Sequence, residues 1–172
     1  MKNTKIFILL IILSFFTTNI SAETYFINFA KVLNQSKAGK QAQDLLKKKV
    51  IDSTEKFNKD EEKIRIEERE LIAKKKILTK EEYNKAIEVL RKKVANHQKN
   101  KQASFKKIGQ LRVEAKKKLL QKLNPIVKKY MEQNNIKLVI DKNIVLLGDA
   151  SLEITDQIME ILNKEVKTLN IK

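Results

Sequence analysis

Few side chains in this sequence have the chemistry for catalysis, and those few are not arranged for it. There is no cysteine and a single histidine, His97, so thiolate nucleophiles, disulfides and cysteine metal sites are excluded. His97 has no second imidazole or thiol nearby in sequence with which to hold a metal, and reads as a polar residue between helices. Asp60-Glu61-Glu62 and Glu67-Glu68 cluster carboxylates, yet Lys63, Arg65 and Arg69 interleave them at one-turn spacing, the pattern of surface ion pairs on a helix. No nucleophile–base set, metal-ligand spacing or glycine-rich phosphate loop occurs, which makes an enzyme the weakest reading and implies no cofactor. What remains is positive charge. Arg91, Lys92, Lys93, Lys99, Lys101, Lys106, Lys107 and Arg112, with Lys116-Lys117-Lys118 beyond them, are candidates for salt-sensitive attraction of an acidic chain or polyanion. Such runs are also the ordinary solvated faces of helices.

The cations are concentrated. Of a formal net charge of +16, residues 37–134 carry 29 Lys and Arg against 14 Asp and Glu, a net of +15, whereas residues 23–36 and 135–172 together net −1. Inside the long segment, residues 83–130 hold 15 basic and 2 acidic side chains, and residues 37–82 hold 14 against 11. One half of the segment is therefore a basic rod.

The element that must carry these cations runs from Lys37 to about Asn134 with one Pro and two Gly, far too long for one globular helix. Val50, Phe57, Ile64, Leu71 and Leu78 recur every seven residues, and Ile87, Val94, Ile108 and Ala115 fall on a second seven-residue series with Lys101 in the missing slot. Both series read as seams of a coiled coil. Folding the chain back at Thr79 sets Leu71 against Ile87, Ile64 against Val94, Phe57 against Lys101 and Val50 against Ile108. Thr79 and Glu82 independently spell a capping box, so residues 77–81 are the predicted tip of an antiparallel helical hairpin.

That seam is thin. Ser53, Asp60, Glu67 and Lys74 occupy the companion positions on the outgoing limb, and His97, Lys101 and Ser104 interrupt the return limb. Each heptad then supplies about one apolar side chain where a stable zipper has two, and Gly109 lowers helix stability by about 1 kcal/mol relative to Ala. The expectation is a bending arm roughly 60 Å long at about 1.5 Å per residue, with Phe57 and Phe105 packed between its limbs and Pro125 bending its foot.

The remainder is predicted to be an α+β body of residues 23–36 and 135–172. Thr24–Phe29 reads as a strand with Tyr25, Ile27 and Phe29 on one face. The chain then loosens over Asn34–Gly39, with Ser36 as N-cap for a stripe of Ala38, Ala42, Leu45 and Leu46. Residues 136–140 and 144–147 read as a β-hairpin turning at Asp141-Lys142-Asn143, with Leu138, Ile140, Val145 and Leu147 in its strands. Ile154, Ile158, Ile161, Leu162, Val166 and Leu169 form one face of a closing helix. Fifty-two residues are marginal for an independent core, and open β edges need covering. An oligomer whose sheets join, with arms projecting from one end, satisfies both demands.

Residues 1–22 read as a cleavable export signal: Lys2 and Lys5, an eleven-residue apolar run from Ile6 to Phe16, and Ser21-Ala22 before the expected mature start at Glu23. A bilayer span takes about 20 apolar residues, so this run is too short to anchor the chain. Export also argues against nucleic acid as the resident polyanion, although a basic limb alone would suit phosphate neutralisation.

Taken together, the export signal, the strand Tyr25–Phe29 entering a long hairpin, Asn124-Pro125-Ile126 leading to Ile136-Lys137-Leu138-Val139-Ile140-Asp141, and Leu152-Glu153-Ile154-Thr155 opening the last helix resemble the Skp/OmpH family of periplasmic chaperones. The resemblance spans the mature chain and brings no catalytic residue. It implies a homotrimer with an intersubunit β-barrel body and three flexible arms around a cavity. It further implies ATP-independent holding of unfolded outer-membrane proteins in the periplasm, and a patch for lipopolysaccharide or an anionic membrane surface, for which Arg91, Lys92, Lys93, Lys99 and Lys101 are available.

Overall fold

The computed structural model describes residues 23–171, so the predicted export signal lies outside the described residues. Strand β1 (Thr24–Ile27) stops two residues short of the expected strand, and Phe29 instead opens helix α1 (Phe29–Gln35). The cause is Asn28, whose side-chain oxygen accepts from the Lys31 amide at 2.8 Å and caps a helix where alternation alone reads as extended. Helix α2 (Lys37–Ala73) follows after a one-residue break at the buried Ser36, which accepts from the Gly39 amide at 3.1 Å. A Cβ on Gly39 would lie 2.2 Å from the Leu33 carbonyl oxygen. This elbow closes only around a glycine.

A 3₁₀ turn (Lys74–Lys76) ends the outgoing limb, and helix α3 (Lys80–Gln133) returns, running unbroken through Pro125. At its start Glu82 N–H donates to Thr79 Oγ1 (3.3 Å) while the Glu82 carboxylate accepts from the Thr79 amide (3.0 Å), closing the box predicted from sequence. At its end Asn135 takes a left-handed backbone, φ 56°, and Ile136 N–H reaches the Met131 carbonyl at 2.9 Å, the closing bond of a Schellman-type terminus.

The chain then enters strand β2 (Leu138–Asp141), which pairs with β1 in parallel, Thr24 opposite Leu138 through Ile27 opposite Asp141. Parallel neighbours need a long crossover, and here that crossover is the whole helical hairpin, so both feet of the arm are fixed side by side. The predicted β-hairpin is therefore corrected: among the described residues the sheet has two strands, and Ile144 to Leu147 form none. Asp141 accepts from the Asn143 amide at 3.0 Å and turns the chain into a 3₁₀ turn (Lys142–Ile144), so local side-chain bonding displaces a ladder that has no partner in this chain. Leu146 and Leu147 stand 95 % and 92 % exposed.

Helix α4 (Thr155–Glu165) closes the body. Ile154 N–H donates to the Phe26 carbonyl (3.0 Å), Asn28 N–H to Thr155 Oγ1 (2.8 Å), Thr155 Oγ1–H to Glu153 (2.8 Å) and Lys142 Nζ to the same carboxylate (2.6 Å). Those two bonds, Lys142 first, hold the Glu153 carboxyl below its ordinary pKa. The apolar core under this network joins Ile27 and Val32 to Ile154, Ile158 and Leu162, and it also takes in Ala38 and Ala42 of α2 and Ala115, Leu119, Leu123 and Ile126 of α3. The feet of the arm thus belong to the core, which relieves the shortage that residues 23–36 and 135–172 would face alone.

Candidate functional site

Above the feet, α2 and α3 touch along the predicted seam, with local departures. Leu46, Ile108 and Leu111 form a second buried cluster with Val50 and Phe105 against it. Farther out only Phe57, 5 % exposed, is buried; it meets the His97 ring edge-on at 5.6 Å and Phe105 at 6.4 Å. Ile64, Leu71 and Ile87 are half-buried. Val94 is a correction: it stands 48 % exposed, and half-buried Leu90 and His97 take the inner positions on either side of it.

Polar groups supply what apolar ones do not. Ser53 and Ser104 hydroxyls pair at 3.2 Å across the limbs, and His97 Nε2–H donates to the Phe57 carbonyl at 3.0 Å. Because a carbonyl only accepts, that ring nitrogen carries the proton. Around these groups lies an open groove of ≈ 600 Å³ lined by Lys56, Asp60, Lys63, Glu67, Asn96 and Asn100 among others. Two helices with a wet gap between them are held by few contacts, which is the physical content of a pliable arm.

The eight cations singled out from sequence divide into two sets. Lys93 is bonded to Glu67 (2.6 Å) and Lys101 lies 3.8 Å from Glu61, so both tie α3 to α2. Arg91, Lys92, Lys99, Lys106, Lys107 and Arg112 are exposed, and none has a salt-bridge partner among the described residues. Lys85, Lys92, Lys99 and Lys106 moreover fall at successive intervals of seven on the side of α3 away from α2. At about 1.5 Å per residue that is a line of ammonium groups roughly 30 Å long; the spacing was present in the sequence, hidden among the other lysines. On α2, Asp60, Glu61 and Glu62 pair locally, with Lys63 (3.9 Å), Arg65 (2.9 Å) and Arg69 (3.0 Å).

Apolar groups also meet solvent. Ile66, Ile72, Ile77 and Val89 are exposed on the distal arm, with Ile77 at the tip 81 % exposed. In the body, Ile27 is fully buried and Tyr25, Phe29, Ile140 and Val145 are half-buried, but Leu138, Ile144, Leu146 and Leu147 are exposed. Partial burial, and after it the Glu23 carboxylate, raises the Tyr25 hydroxyl's pKa. Among the described residues there is no group of three or more metal-capable side chains, and no helix is long and apolar enough to cross a membrane.

A chain with a strand-bound foot and a long basic hairpin invites comparison with solved structures. It superimposes on the crystal structure of a Caulobacter crescentus protein assigned as an OmpH-like outer membrane chaperone, with a TM-score of 0.79, 19 % identity, and coverage of 84 % of this chain and 86 % of that one. No curated protein matches the sequence. The family described as outer membrane protein (OmpH-like) matches residues 23–162, from the first strand through most of the closing helix. The chain is a member of the OmpH-like outer membrane protein family, a family without enzymatic activity.

Proposed function

We propose that this protein is an ATP-independent holdase of the periplasm that keeps unfolded outer-membrane proteins from aggregating. The observation that carries the reading is the unpaired line of Lys92, Lys99 and Lys106 on an arm whose seam is polar and gapped. A holder of unfolded chains must attract them from a distance, touch them weakly at many points and let them go; long-range charge on a pliable limb does this without a deep pocket. Exposed Ile66, Ile72, Ile77 and Val89 supply the diffuse apolar contacts.

The working form is a homotrimer in which the free edge of β2 and exposed Leu138, Ile144, Leu146 and Leu147 are covered by neighbouring copies, so that three arms enclose a cavity. Sedimentation of the mature chain checks this, and a monomer at micromolar concentration refutes it. For the activity, suppression of aggregation of an unfolded outer-membrane protein is compared between the full chain and one lacking residues 50–110, and between wild type and Lys92→Gln/Lys99→Gln/Lys106→Gln. The triple variant is expected to weaken client affinity severalfold and to flatten its decline between about 50 and 500 mM salt, where the Debye length shrinks about threefold. Affinity indifferent to both salt and the triple substitution rules out capture by charge.

A further inference from the structure

The last residues of the chain leave α4 and run back onto the arm. Val166 and Leu169 are buried in the body core, and half-buried Ile171 packs both on that core and on the separate cluster of Leu46, Ile108 and Leu111 at the arm root. Ile171 is the one described residue that belongs to both sets of contacts. Asn170 takes a left-handed backbone, φ 45°, which asparagine tolerates better than most residues. Its carbonyl accepts from Lys118 Nζ at 3.0 Å, and the same ammonium group lies 2.8 Å from Glu114. Leu169 also walls one side of a groove of ≈ 240 Å³ against Ala42, Leu46 and Ala115.

From this arrangement we infer that residues 166–171 are a strap that sets the angle of the arm on the body. The leverage is large: the tip lies some 33 residues of helix beyond Leu46, roughly 50 Å at about 1.5 Å per residue, so a pivot of about 10° at the root displaces the tip by roughly 9 Å. Val166 and Leu169 anchor the strap in the core, while its end is fastened only slightly, by one half-buried isoleucine and one ammonium–carbonyl bond at the surface. A contact of that size opens locally while the core beneath it stays folded. Release of the strap widens the range of arm angles; that this also changes the space available to a client rests on the proposed function.

The chain has no cysteine, so spin labels at Lys75→Cys on the tip and Gln157→Cys on α4 report the arm angle. Labelled protein is diluted into unlabelled protein so that only distances within one chain are read. Ile171→Ser, and separately removal of residues 171–172, is expected to broaden the tip-to-body distance distribution by up to about 10 Å and to raise amide exchange at residues 42–50 and 108–115, leaving residues 60–100 unchanged. Lys118→Met should act in the same direction and less. If both tail variants leave the distances and the exchange at the arm root as in wild type, or if faster exchange is confined to α4, the tail merely seals the body and the strap is refuted. A variant that loosens the arm but still holds client, or a wild type that holds none, leaves the strap standing and bears only on the proposed function.

Discussion

The root and the shaft of the arm are the same two helices, yet they are held together in different ways. At the root, α2 and α3 present Ala42, Leu46, Leu111, Ala115 and Leu119 to each other and to the body, and all are buried. Between residues 47 and 107 the one buried side chain is Phe57, and the limbs meet through serine hydroxyls, an imidazole and ion pairs. Burial stabilises at roughly 25 cal/mol per Å² of apolar surface, whereas an exposed ion pair contributes between about 0 and 1 kcal/mol. Residue type at the seam, and not helix geometry, therefore decides that one end is a clamp and the other a limb free to move.

The sharpest test of that contrast pairs two leucines. Leu119→Ala at the root empties a site that is 1 % exposed, and a loss of about 2–5 kcal/mol in global unfolding free energy is expected from the transfer and cavity terms together. Leu71→Ala on the shaft, half-buried where the limbs barely touch, should cost less than about 1 kcal/mol, and its effect should appear as local amide exchange rather than in the denaturant midpoint. Equal losses would mean that the shaft is a zipper after all.

At the tip a cap replaces packing. Thr79→Ala is expected to remove about 1 kcal/mol from the first turn of α3, read as faster exchange over residues 80–85 with the root unaffected. The same turn carries a pH signature. Hydrogen bonds from the Thr79 side chain and then its backbone amide hold the Glu82 carboxyl below its ordinary pKa. A depressed folded-state pKa contributes stability that is complete above the unfolded value and is lost as pH falls through the folded one, here on the acid side of the ordinary glutamate range. Tip protection should thus fall in that acid range in wild type and be flatter in Thr79→Ala. A tip equally protected at pH 3 and pH 7 would detach the capping box from the hairpin's closure.

What the sequence revealed, and what it hid, follows the same divide. Heptad spacing placed Phe57 and Ile108 inside, and Thr79 with Glu82 marked the turn, because coiled-coil registers and caps are written in residues a few positions apart. The pairing of β1 with β2 joins residues separated by the entire arm, and no local pattern distinguishes a strand waiting for a distant parallel partner from half of a hairpin. Asp141-Lys142-Asn143 is good turn chemistry in either case. Val166 and Leu169 were legible as buried, but their helical spacing concealed that α4 ends at Glu165 and that an extended tail delivers them. In the candidate site, residue type identified the cations; only coordinates separate Lys93 and Lys101, which face Glu67 and Glu61, from the unpaired ones.

Lys93 gives the smallest expected effect and the finest test of the contrast. Its ammonium group lies 2.6 Å from the Glu67 carboxylate, but both side chains are nearly half exposed, 49 % and 44 %, so solvent screens the attraction. Lys93 also sits in a limb crowded with positive charge, so Lys93→Met relieves repulsion as it deletes the pair. The two terms oppose, and a change of no more than a few tenths of a kcal/mol in unfolding free energy is expected, with exchange near Glu67 altered by less than about threefold. If Lys93→Met instead cost as much as Leu119→Ala, charge would be holding the shaft as firmly as burial holds the root, and the arm would be a rigid post.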